Sequence, residues 1–159
     1  ALKEGKVDLA VVSASCNISS PLKMRRVLGY QDILIGGTKY QELKGKRISL
    51  EKLSEYPWIS LTSESITRNF LNEYFEEHGL QFSPHVELAT TDMILPVVRH
   101  NLGIGFIPAE LVKADLLAGT VFEIKVEETM PERDIILIYD TEYPQSIASK
   151  EFQKFLAER

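Results

Sequence analysis

The chain has 159 residues, 44% of them hydrophobic and 9% aromatic, and a formal net charge of −5 at pH 7. That size and apolar content suit a packed core, as one domain or two small lobes, and exclude a disordered chain. The acidic balance argues against nucleic-acid binding by this segment, which needs clustered Lys and Arg, and no apolar run reaches the ~20 residues that cross a bilayer.

The first residues, Ala1-Leu2-Lys3-Glu4-Gly5-Lys6, read as the last turn of a helix with Gly5 as its stop. Val7-Asp8-Leu9-Ala10-Val11-Val12 follows as a near-continuous apolar strand. That pattern predicts burial on both faces, with neighbours on each side in a mostly parallel sheet. Residues 17–21 form a polar turn, and residues 22–30 and 32–36 are extended, the second around Ile33-Leu34-Ile35. Gly36-Gly37 breaks the run, and 39–47 is a charged connection. Ser49 N-caps a short helix over 50–55 that stops before Pro57. Trp58–Leu61 is a short strand running into Thr62-Ser63-Glu64-Ser65.

A longer amphipathic helix follows, with Ile66, Phe70, Leu71, Tyr74 and Phe75 at helical spacing and Gly79 as its stop. Val86 and Leu88 mark a strand ending at Thr90-Thr91. Thr91 is the N-cap expected for a helix over 92–101, with Asp92 in its first turn. Pro96 either bends that helix or marks a late start. Residues 104–107 form a strand and 109–117 a helix ending near Gly119. Val121–Val126 and 133–139 are strands, and 146–158 is a closing amphipathic helix turning Ile147, Phe152, Phe155 and Leu156 inward.

Such alternation specifies an α/β fold with a largely parallel sheet. Within it, Leu102-Gly103-Ile104-Gly105-Phe106-Ile107-Pro108 has the order tight turn, short buried strand, proline stop. Gly103 and Gly105 admit close approach of other backbone. At the end of a strand in an α/β protein that bareness serves a ligand, or it answers a packing constraint between helix and strand. Both readings stand on the sequence.

Four segments carry a family resemblance. Leu2-x-x-Gly5-x-Val7-Asp8-Leu9-Ala10-Val11 resembles the "L-x-x-G-x-x-D-hydrophobic" signature of the effector-binding domain of LysR-type transcriptional regulators. Leu50-x-x-Leu53-x-x-Tyr56-Pro57-Trp58-Ile59 is similar to the helix and strand that open that family's second lobe. So are Ile94 through Val98 with Leu102-Gly103-Ile104-Gly105 and Pro108, and the ending Arg133-x-Ile135-x-Leu137 followed by Phe152-x-x-Phe155-Leu156. The order and spacing hold over essentially the whole chain.

The resemblance implies a type 2 periplasmic-binding-protein fold: two Rossmann-like α/β lobes joined by crossover strands, with a small-molecule cleft between them. Residues 1–26 with 118–159 would form the first lobe and 27–117 the second. Two departures are visible. The family's first βαβ unit and its N-terminal helix-turn-helix domain have no counterpart here, so the first lobe is expected to be incomplete, and DNA would be reached only through the missing domain. Asn101 stands where the family usually has Gly; Asn best tolerates the left-handed conformation among other residues, so the turn should survive.

Ligands in open α/β sheets sit beyond the carboxyl ends of strands, where helix N-termini offer free N–H groups. Three such places collect hydroxyls: Ser13 and Ser15, then Thr62, Ser63 and Ser65, then Thr90 and Thr91. Gly105, Phe106, Ile107 and Pro108 would close the fourth side. Each cluster alone serves equally as helix caps; together, on the resemblance, they imply contacts to a small polar or anionic effector.

No motif supports catalysis, a metal or a cofactor. His78, His85 and His100 lack metal spacing, and one cysteine cannot anchor a zinc site. Cys16 reads as a turn residue or a redox-sensing thiol without a resolving partner. A single cysteine also rules out an internal disulfide and fits a reducing, cytoplasmic setting. The basic patches Lys23/Arg25/Arg26 and Lys44/Lys46/Arg47 read as solvated faces. The first functional reading is the effector-sensing half of a LysR-type regulator, a homo-oligomer in its full-length form and not a membrane protein. The second is a free-standing solute-binding protein or enzyme of the same fold. In this truncated chain, association is expected to be weak or to use the exposed edge of the first-lobe sheet.

Overall fold

The computed structural model describes residues 1–13 and 20–157. They divide into two compact units, residues 1–30 with 132–159, and residues 31–131. The divisions fall after Tyr30 and Pro131 rather than after Arg26 and Leu117. The reason is pairing: strand Val121–Val126, expected in the first lobe, is hydrogen-bonded to strands of the 31–131 unit.

The first unit opens on a 3-10 turn at Leu2–Glu4, stopped by Gly5 in the left-handed conformation at φ 63°. Strand β1 (Leu9–Ser13) pairs antiparallel with a later strand, Leu9 opposite Tyr139 and Ser13 opposite Ile135. β1 occupies the end of the strand order and has a single partner among the described residues, and Val11 is 47% exposed. A strand buried on both faces in a parallel sheet was expected. The apolar run is there, but one edge has no neighbour and the pairing is antiparallel. Residues 22–37, expected as two extended pieces, form one strand, β2 (Leu22–Gly37), which passes from one unit into the other.

The 31–131 unit is a sheet with helices on both faces. A 3-10 segment (Thr38–Leu43) leads to β3 (Arg47–Ile48) and α1 (Leu50–Leu53). Ser49 caps α1 as expected, its side chain accepting from the Lys52 N–H at 3.5 Å. The Glu128 carboxylate also accepts from the Leu50 N–H at 3.0 Å. β4 (Trp58–Leu61), α2 (Ile66–Glu77), β5 (Val86–Leu88), α3 (Ile94–Arg99), β6 (Ile104–Pro108), α4 (Lys113–Ala118) and β7 (Val121–Val126) follow in order. β4 is parallel to both β5 and β6, and β3 to β7. The second half of β2 runs antiparallel to β6 and β7. The sheet is therefore mixed rather than largely parallel, because β2 enters against the direction of its neighbours.

Successive residues of each strand face opposite sides. Trp58 with Phe106 and Leu34 joins Leu71, Tyr74 and Phe75 of α2 in one core. Ile59 with Ile107 and Ile35 joins Ile94 and Val98 of α3 in the other. α2 and α3 thus cover opposite faces. Trp58 stacks on Phe106 with ring centroids 5.7 Å apart and meets Phe75 edge-on at 5.3 Å. Pro96 lies in the first turn of α3, where its missing N–H is not needed, so the late start is the outcome.

β8 (Glu132–Asp140) and α5 (Ile147–Ala157) complete the first unit. β8 lies between β1 and β2, and Arg26 of β2 reaches Asp134 at 2.6 Å and Glu132 at 3.1 Å. On α5 the expectation fails for three of its four residues: Ile147 is 81% exposed, Phe155 49% and Phe152 41%, while Leu156 is half-buried. Their helical spacing is apolar, but the described residues of this three-strand sheet do not cover it.

Candidate functional site

The carboxyl ends of β4, β5 and β6 share one edge of the 31–131 unit, since the three strands are parallel in the order β6-β4-β5. β4 feeds α2 on one face and the adjacent β5 feeds α3 on the other. Adjacent strands whose connections leave to opposite faces open a crevice at their carboxyl ends, where α/β sheets take ligands. The Thr62–Ser65 and Thr90–Thr91 segments line that edge. They are joined directly: the Thr62 N–H donates to the Leu88 carbonyl at 3.1 Å.

Ser65 occupies the N-cap of α2, and its side chain accepts no backbone N–H. Thr90, not Thr91, occupies the cap of the 3-10 turn Thr91–Met93 that precedes α3, and it too makes no side-chain cap bond. The Thr91 cap is thus corrected: Thr91 is the first residue of that turn, because the helix starts late. Thr62, Ser63 and Thr90 are exposed, and Ser65 and Thr91 half-buried. These five hydroxyl residues lie on one edge without serving as caps.

Phe106 and Ile107 are not brought to the surface. Phe106 is in the core beneath α2 and Ile107 in the core beneath α3. β6 is flanked by β2 and β4, so its alternate side chains fill the two faces. The bareness of the two glycines has the same origin. A Cβ on Gly103 would lie 2.4 Å from the Pro57 carbonyl oxygen, and one on Gly105 3.1 Å from that of Ile59. The packing reading of this segment is therefore the one its geometry carries, and Gly105 presses against β4. Pro108 ends β6 half-buried at the carboxyl edge. Asn101 takes φ 63°, as expected, and its side chain accepts from the Lys39 N–H at 2.8 Å.

Ser13 ends β1 in the other unit, half-buried. Ser15 and Cys16 lie outside the described residues.

Arg68 belongs to no motif of the sequence. It is buried on α2, and its guanidinium donates to the Leu61 carbonyl at 3.1 Å, to Glu87 at 2.8 Å and to Asn72 at 3.1 Å. It also lies 5.3 Å over the Phe82 ring. Leu61 immediately precedes Thr62, and Glu87 precedes the Leu88 that receives Thr62. Arg68 therefore clamps the two strand ends that carry the hydroxyl segments. Its signal was a charged residue three positions before Leu71, on the inward stripe of α2.

The histidines serve the backbone or sit apart from this edge. The Trp58 N–H donates to His85 Nδ1 at 3.3 Å, His78 Nδ1 meets the Tyr74 carbonyl at 2.7 Å, and His100 follows α3. No group of three His, Cys, Asp or Glu side chains among the described residues could hold a metal ion.

The family model described as LysR substrate binding domain matches residues 1–159. The "HTH-type transcriptional activator CmpR" of Synechocystis sp. is 26% identical over 135 residues, covering 85% of this chain and 44% of that protein. The chain spans about half the length, or less, of the curated relatives it matches. Among solved structures, the regulatory domain of Synechocystis CcmR in complex with 2-PG superposes with a TM-score of 0.82 at 16% identity, over 98% of this chain and 74% of that one. The effector-binding domain of QuiR in complex with shikimate gives 0.78 at 23% identity, over 98% and 72%. These likenesses establish the fold as that of LysR regulatory domains, the type 2 periplasmic-binding-protein fold.

Proposed function

The chain belongs to the LysR substrate-binding domain family, and from that premise we propose that it senses a small polar or anionic metabolite and acts by binding rather than by catalysis. The observation that carries this reading is the hydroxyl-lined edge at the carboxyl ends of β4 and β5, where Ser65 and Thr90 stand at helix starts without capping them. Free hydroxyls and first-turn N–H groups favour an oxyanion or a polyol. The proposed contacts are Thr62, Ser63, Ser65, Thr90 and Thr91 with the backbone around Pro108. Ser13 and Ser15 remain strand-end hydroxyl candidates of the first unit by their place in the sequence at and after the end of β1.

In the proposed whole protein, ligand occupancy is transmitted to a separate DNA-binding domain in a cytoplasmic homo-oligomer. That curated relatives such as CmpR are transcriptional regulators supports this part. No described helix is long and apolar enough to cross a membrane.

Titration calorimetry with 2-phosphoglycolate, shikimate and inorganic sulfate tests the reading. Saturable binding of at least one is expected, weakened about tenfold or more in Thr91→Ala. Absence of saturable binding to all three overturns this ligand class. Binding that Thr91→Ala leaves unchanged removes the β5 end from the site.

A further inference from the structure

A cavity opens at the other end of β4. Its volume is about 480 Å³, and it is bounded by the 3-10 segment, β3, α1 and the residues just before β4. Tyr56 stands two residues before the first residue of β4, whereas Thr62 directly follows its last. Six steps of ~3.3 Å each place Tyr56 and Thr62 roughly 20 Å apart along the chain. That volume is within the range of small-molecule pockets.

Its chemistry is sorted by height. The floor is apolar, with buried Leu43 and half-buried Ile48. One wall is Tyr56, which packs edge-on against buried Tyr40 at 6.0 Å. The rim carries three exposed cations, Lys46, Arg47 and Lys52, against two carboxylates, Glu42 and Glu55. Glu42 is engaged: burial and this carboxylate hold the Tyr56 hydroxyl above its ordinary pKa, so it stays protonated and donates to Glu42. Among the described residues none of the three cations has a carboxylate within 4.0 Å, in contrast to paired cations of the same unit such as Arg68 and Arg99; other exposed lysines, Lys39 and Lys44 among them, are likewise without one.

A cavity with an apolar floor, an aromatic wall and unpaired cations at the rim suits an amphiphile with a negative head. We propose that it is a second binding site, for a small organic anion: a carboxylate, phosphate or sulfate on a ring or short apolar body. The ring lies along Tyr56 over Leu43 and Ile48, and the head takes Lys46, Arg47 and Lys52. Hydrogen bonding from Arg fits the planar oxyanion best.

The experiment is a ¹H–¹⁵N titration of the whole chain with phenyl phosphate, inorganic phosphate and benzylamine, repeated on the combined variant K46A, R47A and K52A. These three side chains are exposed, so the variant keeps its fold, which the spectrum itself reports. Phenyl phosphate should give saturable shifts at Leu43, Arg47, Ile48 and Tyr56, with inorganic phosphate binding more weakly and benzylamine not at all. The variant should lose affinity at least about tenfold. Three results each overturn the proposal: no saturable shift at these residues, equal affinity in the variant, or benzylamine shifting the same residues. Inorganic phosphate binding as tightly as phenyl phosphate would also overturn it, since the apolar floor would then contribute nothing. None of these outcomes bears on Thr62 or Thr91, so the two sites stand or fall separately.

Discussion

Residues 31–131 close their apolar side chains over both faces of a sheet, whereas the described residues of 1–30 with 132–157 leave most of theirs half in water. Both core clusters consist wholly of 31–131 residues. Among the described residues of the other unit the buried apolar side chains are Ile136, Leu137 and Ile138, all on β8. Similar local patterns thus have different fates. An amphipathic helix is buried only if a sheet of sufficient width lies beneath it, and helix stability in proteins comes mostly from that packing. α2 has such a sheet and α5, among the described residues, does not. The difference teaches that the hydroxyl-lined edge rests on the better-packed unit, as a preorganised binding surface should.

Matched substitutions sharpen the comparison. Phe106→Ala removes a ring stacked on Trp58 and should cost about 3–5 kcal/mol, while Phe152→Ala, at 41% exposure, should cost less than ~1 kcal/mol. Trp58 is the only tryptophan, so its fluorescence during denaturant unfolding reports the 31–131 unit directly. Equal losses for the two variants would break the contrast. A smaller effect is expected from the arginines. Arg68→Met forfeits hydrogen bonds to Leu61 and Glu87 by a buried charged group and should cost roughly 1.5–3 kcal/mol. Arg26→Met breaks only exposed pairs and should cost about 0–1 kcal/mol. Arg68→Met should also weaken ligand binding, because the two strand ends lose their clamp; chemical denaturation and calorimetry on the same samples check both.

The smallest effect is one of pH, in the less packed unit. Asp8 accepts from the Ser146 N–H at 3.1 Å, tying the segment before α5 to the start of β1. Hydrogen bonding from the Ser146 side chain and backbone holds the Asp8 carboxyl below its ordinary value. A depressed carboxyl contributes stability above the unfolded-state pKa, ~3.9. That contribution is lost as pH falls through the folded-state value. Protection of the α5 amides, taken relative to their intrinsic exchange rates, should therefore fall on acidification below about pH 4, and Asp8→Asn should abolish that fall. An unchanged pH profile in Asp8→Asn would remove this tie.

Much of the fold was legible in local pattern. Trp58–Leu61 and Val121–Val126 are strands at the expected residues, Gly5, Gly79 and Gly119 take positive φ at helix ends, and Asn101 does so in glycine's place. What local pattern could not supply was long-range pairing. The β1 sequence is as apolar as a central strand, and only the absence of a second neighbour among the described residues makes it an edge. Likewise Phe106 and Ile107 looked like candidates because they follow a glycine pair, but β2 and β4 on either side turn them into core. The Thr62–Ser65 and Thr90–Thr91 segments were legible as strand-end hydroxyls. That they leave the helices uncapped was not, because a cap is decided by a single hydrogen bond.

That uncapped state is what the functional account depends on, and a double variant, Ser65→Ala with Thr90→Ala, tests it most directly. Thermal melts and calorimetric titration with whichever of 2-phosphoglycolate, shikimate or sulfate binds the unaltered chain are run on the same preparation. The account expects the melting temperature to stay nearly constant, since no side-chain cap is lost, and affinity to fall about tenfold or more. Unchanged affinity with a stability loss of about 0.5–2 kcal/mol per residue, the cost of a lost cap, would contradict it.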